Sequence, residues 1–169
     1  MMTIRLAHRE DLDAVIVIIQ KATRQMDSQG IPQWDDIYPS DSILKTDIER
    51  KQMHVIENEG SVCGCITLNE EQSPEYSDVS WSYPGKTLVV HRLTIDPEHQ
   101  GQKFASRLMD FAEKEAASKG YKSIRLDAFT KNPAAVALYE GRKYRNAGTV
   151  RFRKGIFFCY EKKLTRTKI

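Results

Sequence analysis

The stretch Leu88–Lys119, LVVHRLTIDPEHQGQKFASRLMDFAEKEAASK, decides the fold. Leu88, Val89, Val90, Leu93 and Ile95 form a short apolar, β-branched run, the pattern of a buried strand. Asp96-Pro97 stops it, because proline cannot donate to a strand ladder and restricts the residue before it. Phe104, Leu108, Phe111 and Ala112 then recur at the spacing of one helical face. Gly120 closes the helix at the position after its C-cap, where a positive φ costs glycine little. The reading is a strand, a tight polar turn and a long amphipathic helix.

The turn carries the chemistry. Gln100-Gly101-Gln102-Lys103-Phe104-Ala105 sets main-chain N–H groups at a helix start, where the donors and the helix dipole suit a phosphate. Gly101 lets an anion approach the main chain, and Lys103 adds a positive charge. Taken alone, the hexapeptide reads as an ordinary helix start after a proline turn.

Working outward, 169 residues fit one domain with a sizeable core. The composition is 40% hydrophobic and 29% charged, ordinary for a globular chain, and a net charge of +3 is too mild to point to nucleic acid. The C-terminal basic residues, Arg142 to Lys168, read as a solvated face or as help in holding an anionic cofactor. No apolar run has the length of a membrane span, and MMTIRLAHRED lacks the apolar segment of a signal peptide. Cys63, Cys65 and Cys159 make no disulfide framework; Cys63 and Cys65 alternate on one strand and read as small buried hydrophobes of a reduced, cytoplasmic protein. His54 and His91 do not complete a zinc site, so no metal is expected.

In chain order, Thr3–Ala7 reads as a first strand. A helix follows from about Arg9, with Leu12, Val15, Ile16, Ile19 and Ala22 on one face, stopping at Gly30-Ile31-Pro32. Gly30–Pro39 is a structured loop with Trp34 and Tyr38. Ser40 or Asp41 caps a second helix through about Arg50. Met53–Glu57 and Ser61–Asn69 read as strands joined by Asn58-Glu59-Gly60. Glu70–Lys86 is a long loop, functional or mobile. After the opening unit, Ser123–Phe129 is a strand, and Lys131-Asn132-Pro133 starts a short helix to Gly141, with Asn132 as N-cap and Pro133 at the first helical position. Tyr144–Val150 and Ile156–Lys163 are the last strands, and the tail from Thr165 is expected to fray. The order is β-α-α-β-β-β-α-β-α-β-β: one α/β (α+β) domain over residues 1–169, with a core at about 3–164. A mixed central sheet of about seven strands would carry helices on both faces.

Here the chain resembles the GNAT superfamily of N-acetyltransferases, which use acetyl-CoA. Leu93-Thr94-Ile95-Asp96-Pro97 matches the family's strand end, and Gln100–Ala105 matches its phosphate loop, with Lys103 where the family usually has its central glycine. Asn132, Ala135, Tyr139 and Lys143-Tyr144 match a second family signature, with Lys143 where glycine is common. The resemblance spans Thr3–Leu164 and implies transfer of an acetyl group from acetyl-CoA (coenzyme A) to a primary amine by direct attack.

The resemblance also implies the roles. Gln100, Gly101, Gln102, Lys103, Phe104, Ala105 and Ser106 would hold the pyrophosphate. Lys103 would sit in the first helical turn, where helical φ does not demand glycine, with its ammonium on a phosphate or in solvent. Leu93, Thr94 and Ile95 would line the pantetheine arm, their side chains in the core and their main chain on the ligand, with the Leu93 N–H polarising the thioester. Asn132 and Ala135 would contact the cofactor, and Asn132 would also cap its helix. Tyr139 would contact the cofactor and protonate the leaving thiolate; on spacing alone it reads as a core residue of an amphipathic helix. His91 is a candidate base, as are Glu70 and Glu71 through water, although a lone strand histidine is more often structural. Trp34, Tyr38 and Glu70 would bind the acceptor, a small-molecule or peptide amine, with Trp81, Tyr83, Asp35 and Asp36 as further candidates. No nucleic-acid or membrane partner is expected, and the chain would be a monomer or homodimer. The alternative is a non-catalytic acyl-CoA-binding regulatory or sensor domain.

Overall fold

The computed structural model describes residues 1–165; the fraying expected of the tail falls, from Arg166 on, outside the described residues. The elements are β1 (Met2–Leu6), α1 (Leu12–Ser28), α2 (Asp41–Glu49), β2 (Met53–Asn58), β3 (Ser61–Asn69), β4 (Thr87–Ile95), α3 (Phe104–Ser118), β5 (Ser123–Phe129), α4 (Pro133–Gly141), β6 (Arg145–Phe152) and β7 (Gly155–Lys163). Their order is the expected one. The strands form a seven-stranded mixed sheet in the order β1-β2-β3-β4-β5-β7-β6. The chain divides into two compact units, Met1–Leu68 with His91–Phe111, and Asn69–Val90 with the chain from Ala112 on. Strand β4 and helix α3 each run from one unit into the other.

In the first unit, β1, β2 and β3 pair antiparallel. The β2–β3 turn is made by Glu59 and Gly60, both at positive φ (51° and 79°), the two-residue turn whose twist matches a hairpin. The apolar face of α1 packs Val15 and Ile19 with Leu44 and Ile48 of α2, Val55 of β2 and Cys65 of β3. Trp34 belongs to this core and is 8% exposed. The loop folds the indole of this residue, named above for the acceptor side, inward to cover the helix pair.

The second unit contains the start of β4, parallel to β5 over Thr87–Val89 against Ser123–Arg125. Strand β7 lies antiparallel to β5 and to β6. The segment 70–86, expected as one long loop, contains a 3-10 turn at Pro74–Asp78 that buries Tyr76. Its end is pinned by Glu161 of β7, fully buried, whose carboxylate accepts from the Ser82 N–H at 2.7 Å and from Arg145 at 2.6 Å. Buried acceptors of main-chain N–H groups hold a segment that has no ladder of its own.

All four α-helices close with the same pair of bonds. The N–H two residues past the C-cap bonds the third-last helical carbonyl: Ile31 to Met26, Gln52 to Asp47, Tyr121 to Ala116 and Tyr144 to Tyr139, at 2.8, 2.9, 3.0 and 3.0 Å. The motif needs a left-handed residue between them. Gly30 and Gly120 supply it in α1 and α3, at φ 73° and 81°, whereas Lys51 and Lys143 supply it in α2 and α4, at φ 58° and 70°.

Candidate active site

The first unit builds the turn that follows β4. Asp96 fixes the strand end: its N–H donates to the Cys63 carbonyl at 2.7 Å, and its carboxylate accepts from the Glu98 N–H at 3.0 Å and pairs with Lys21 at 2.9 Å. Burial alone would raise this carboxyl, but Lys21 and the Glu98 N–H outweigh it and hold it below the usual range. A short 3-10 turn at Pro97–His99 follows, and the Gln100 side-chain amide donates to Gln25 of α1 at 2.9 Å.

The helix starts at Phe104, later than the sequence reading placed it. Gly101 stands at φ 82° with nothing within 4 Å of where a Cβ would be, and Gly101, Gln102 and Lys103 are exposed. Lys103 is not in the first helical turn. It precedes the helix at φ 63°, a left-handed conformation that glycine adopts freely and lysine does not. The backbone therefore keeps the shape a glycine would give, and lysine bears the strain. Phe104 is buried and anchors the helix start; Ala105 and Ser106 are partly buried in the first turn. This open main chain at a helix start, with Lys103 and Arg107 exposed beside it in sequence, fits a diphosphate.

Strand β4 is irregular where it matters. Arg92 takes φ 54° inside the strand, which kinks it before Leu93 and Ile95. Thr94 is buried, whereas Leu93 and Ile95 are only partly so, a correction to their expected place in the core. Strand β3 approaches closely here: a Cβ on Gly64 would lie 2.7 Å from both the Thr94 carbonyl oxygen and Ile95 Cδ1. The Arg92 guanidinium makes a two-pronged pair with Asp47 at 2.7 and 2.8 Å and donates to the Tyr38 hydroxyl at 2.9 Å. Asp47 also accepts from the Thr67 hydroxyl at 2.9 Å. Tyr38 is thus an exposed loop side chain tied to the kink, and His91 is partly buried next to it in sequence.

The second unit carries α4 and the strands beside it. Asn132 caps α4, its side chain accepting from the Ala135 N–H at 3.1 Å, and Pro133 occupies the first helical position. Tyr139 of α4 is 6% exposed, with the rings of Tyr144 and Tyr160 at 5.9 and 6.0 Å. Burial first, and the charge of Asp127 second, raise its phenol above the usual range, so it keeps its proton at neutral pH. Asp127, in the middle of β5, accepts a hydrogen bond from the buried Tyr76 hydroxyl at 2.6 Å. Burial pushes its carboxyl up to about 6, against the opposing pull of that bond. Glu70 is exposed and accepts from the Tyr121 hydroxyl at 2.8 Å; Glu71 is exposed as well.

Asp127, Tyr76 and the Arg92–Asp47 pair were missed in the sequence. The signal for Asp127 and Arg92 was a charged residue inside a strand, Arg92 in mainly apolar β4 and Asp127 in β5 two residues after Arg125; nothing local marked Tyr76 or Asp47. All three cysteines are free and buried, and burial raises each thiol, Cys65 and Cys159 to about 12. Among the described residues, no group of three or more His, Cys, Asp or Glu could hold a metal ion, and no helix is long and apolar enough to cross a membrane.

Residues 19–144 match the family model of the acetyltransferase (GNAT) family. An acetyltransferase of Yersinia pseudotuberculosis serotype I is 23% identical over 166 residues, covering 95% of this chain and 99% of its own. A GNAT-family acetyltransferase of Streptococcus agalactiae superposes with a TM-score of 0.84 at 21% identity, over 98% of this chain and 96% of its own. The PaiA N-acetyltransferase of Thermoplasma acidophilum, solved in complex with coenzyme A, gives a TM-score of 0.76 at 21% identity, over 96% and 99%. The chain belongs to the GNAT family of acetyltransferases. It is an acyltransferase, and acetyl transfer from acetyl-CoA is its class of reaction.

Proposed function

We propose that the two units work as one N-acetyltransferase domain, with its core at about 3–164, and that the acceptor is a primary amine that attacks directly. Bound acetyl-CoA supplies an acetyl group on a thioester, already reactive toward amines. Gln100–Ser106 hold its pyrophosphate on the open main chain around Gly101. Leu93, Thr94 and Ile95 offer main-chain groups to the pantetheine arm past the kink at Arg92, and the Leu93 N–H polarises the acetyl carbonyl. Asn132 and Ala135 fix the start of α4 and so the position of Tyr139. Direct attack, without an acyl-enzyme, is supported by the three buried, protonated thiols. Tyr38 and Glu70 remain the acceptor-side candidates, and the acceptor is a small molecule or a peptide.

The observation that carries this reading is the place of Tyr139, seven residues past the Asn132 cap on α4 and 6% exposed, with its phenol protonated at neutral pH so that a proton is at hand for a departing thiolate. Tyr139→Phe keeps the ring packing and removes the proton. It is expected to lower turnover, followed as thiol release, by about 100-fold or more, with acetyl-CoA affinity unchanged. Equal turnover by the variant at every pH contradicts the assignment of the acid.

A further inference from the structure

Among the described residues, the buried carboxylates have cations. Asp11 pairs with Arg5 at 2.8 Å, Asp47 with Arg92 at 2.7 Å, Asp96 with Lys21 at 2.9 Å and Glu161 with Arg145 at 2.6 Å. Asp127 does not. It is partly buried in the middle of β5, between the buried Leu126 and Ala128, and among the described residues its one partner is the Tyr76 hydroxyl. A carboxylate has about four acceptor sites, and here a single donor fills one of them. Burying a carboxylate without a counter-charge is unfavourable, and a cation arriving from outside the chain would relieve that cost.

The neighbours sharpen this. Tyr76 comes from the 3-10 turn after β3, Tyr139 from α4, and Cys159 faces Asp127 across the β5–β7 register. All three side chains are neutral at pH 7. Arg125, two residues back on β5, is turned to other partners: it lies 4.3 Å over the Trp81 ring and donates to Gln72 at 2.8 Å. The cation absent from this set is thus not supplied by the neighbouring side chains, and an acceptor amine in its ammonium form has the right charge.

Resting on the acetyltransferase reading above, the geometry points to Asp127 as the group that binds the acceptor's ammonium and removes its proton, with Tyr76 holding the carboxylate in place. Asp127 takes one proton from the ammonium. The freed lone pair makes the N–C bond as the C–S bond breaks. Tyr139 gives its proton to the departing sulfur and regains one from the new amide nitrogen, while Asp127 passes its proton to solvent. One proton leaves per turnover. This replaces His91, Glu70 and Glu71 as the base. A carboxyl near 6 is ionised at neutral pH and still close enough to it to accept a proton efficiently.

The test is the pH profile of kcat/KM for the amine, measured as thiol release with the best substrate among spermidine, tyramine, lysine and an unblocked tetrapeptide. The wild-type profile is expected to fall on the acid side with a limb near pH 6. Asp127→Asn should lose about 100-fold or more at pH 7 and lose that limb, with acetyl-CoA affinity unchanged. Tyr76→Phe removes a bond that favours the ionised carboxylate, so the limb should move to higher pH. A purely structural Asp127 would lower the rate without moving the limb. If the wild type turns over but Asp127→Asn keeps its rate within threefold and its limb, the assignment of the base is overturned while the acetyltransferase reading stands. If the wild type turns over none of the amines, both fall.

Discussion

Lys103 and Asp127 are each unfavourable in the folded chain alone, for different reasons. Lys103 is backbone strain: left-handed φ costs a Cβ-bearing residue about 1–2 kcal/mol, offset in part because glycine is about 0.5–1 kcal/mol more costly to order. Asp127 is desolvation. Its pKa rises from 3.8 to about 6 on folding, and each unit is worth about 1.4 kcal/mol, giving a ceiling of about 3 kcal/mol against folding. Because the folded-state value is the higher, the penalty is complete above pH 6, shrinks as pH falls through the window from 6 to 3.8, and vanishes below it, where the group is neutral in both states. Asp127→Asn keeps an acceptor for Tyr76 and should therefore stabilise the protein at pH 7 by about 1–3 kcal/mol, with the gain fading toward pH 4. Chemical denaturation of both proteins at pH 7 and pH 4 checks this. Equal stability of the two at pH 7 would show that the carboxylate is not strained. Such a gain, set against lost activity, is the pattern of a group kept for function rather than for folding.

At the scale of the elements, helix closure is where sequence and structure part most clearly. Gly30 and Gly120 marked the ends of α1 and α3 in the sequence, since glycine is the usual left-handed residue there. Lys51 and Lys143 do the same work in α2 and α4, and a lysine gives no such signal. The closing bonds and the edge contact of Tyr139 with Tyr144 impose the conformation on Lys143 despite its Cβ. Replacing Lys51 or Lys143 with glycine is therefore expected to raise stability by about 0.5 kcal/mol each, the strain relieved less the entropy added to the unfolded chain. The reverse change, Gly30→Ala or Gly120→Ala, should cost about 1 kcal/mol. Urea midpoints at constant m-value measure all four, and a destabilised Lys143→Gly protein would contradict this account of the helix end. The segment 70–86 was illegible for a related reason. Its order comes from Tyr76 on Asp127 and from Glu161 on the Ser82 N–H, partners 51 and 79 residues away in the chain.

For the whole molecule, element order and sheet content could be read from apolar periodicity, proline and glycine punctuation and the strand-turn-helix unit at Leu88–Lys119. The proposed phosphate turn could be picked out because glycine and the helix start lie together in sequence, and the proposed acid Tyr139 because its spacing from Asn132 is local. The base was not legible. His91 stood out as a titratable residue beside a motif, whereas what distinguishes Asp127 is a counter-ion missing in three dimensions, which no spacing encodes. Trp34 shows the converse, since an aromatic in a loop can be read as a lining residue or as a lid on the core, and its indole packs in the core cluster of the first unit. The central claim is catalytic acetyl transfer from acetyl-CoA to a primary amine. Its most direct test is thiol release by the full chain with acetyl-CoA and each of spermidine, tyramine, lysine and an unblocked tetrapeptide, with the mass of the product read in parallel. The expected result is thiol release above the no-amine control for at least one amine, matched one for one by a product heavier by a single acetyl group on nitrogen. Tight binding of acetyl-CoA with no release above the control for any of them would contradict it and favour the binding domain without chemistry.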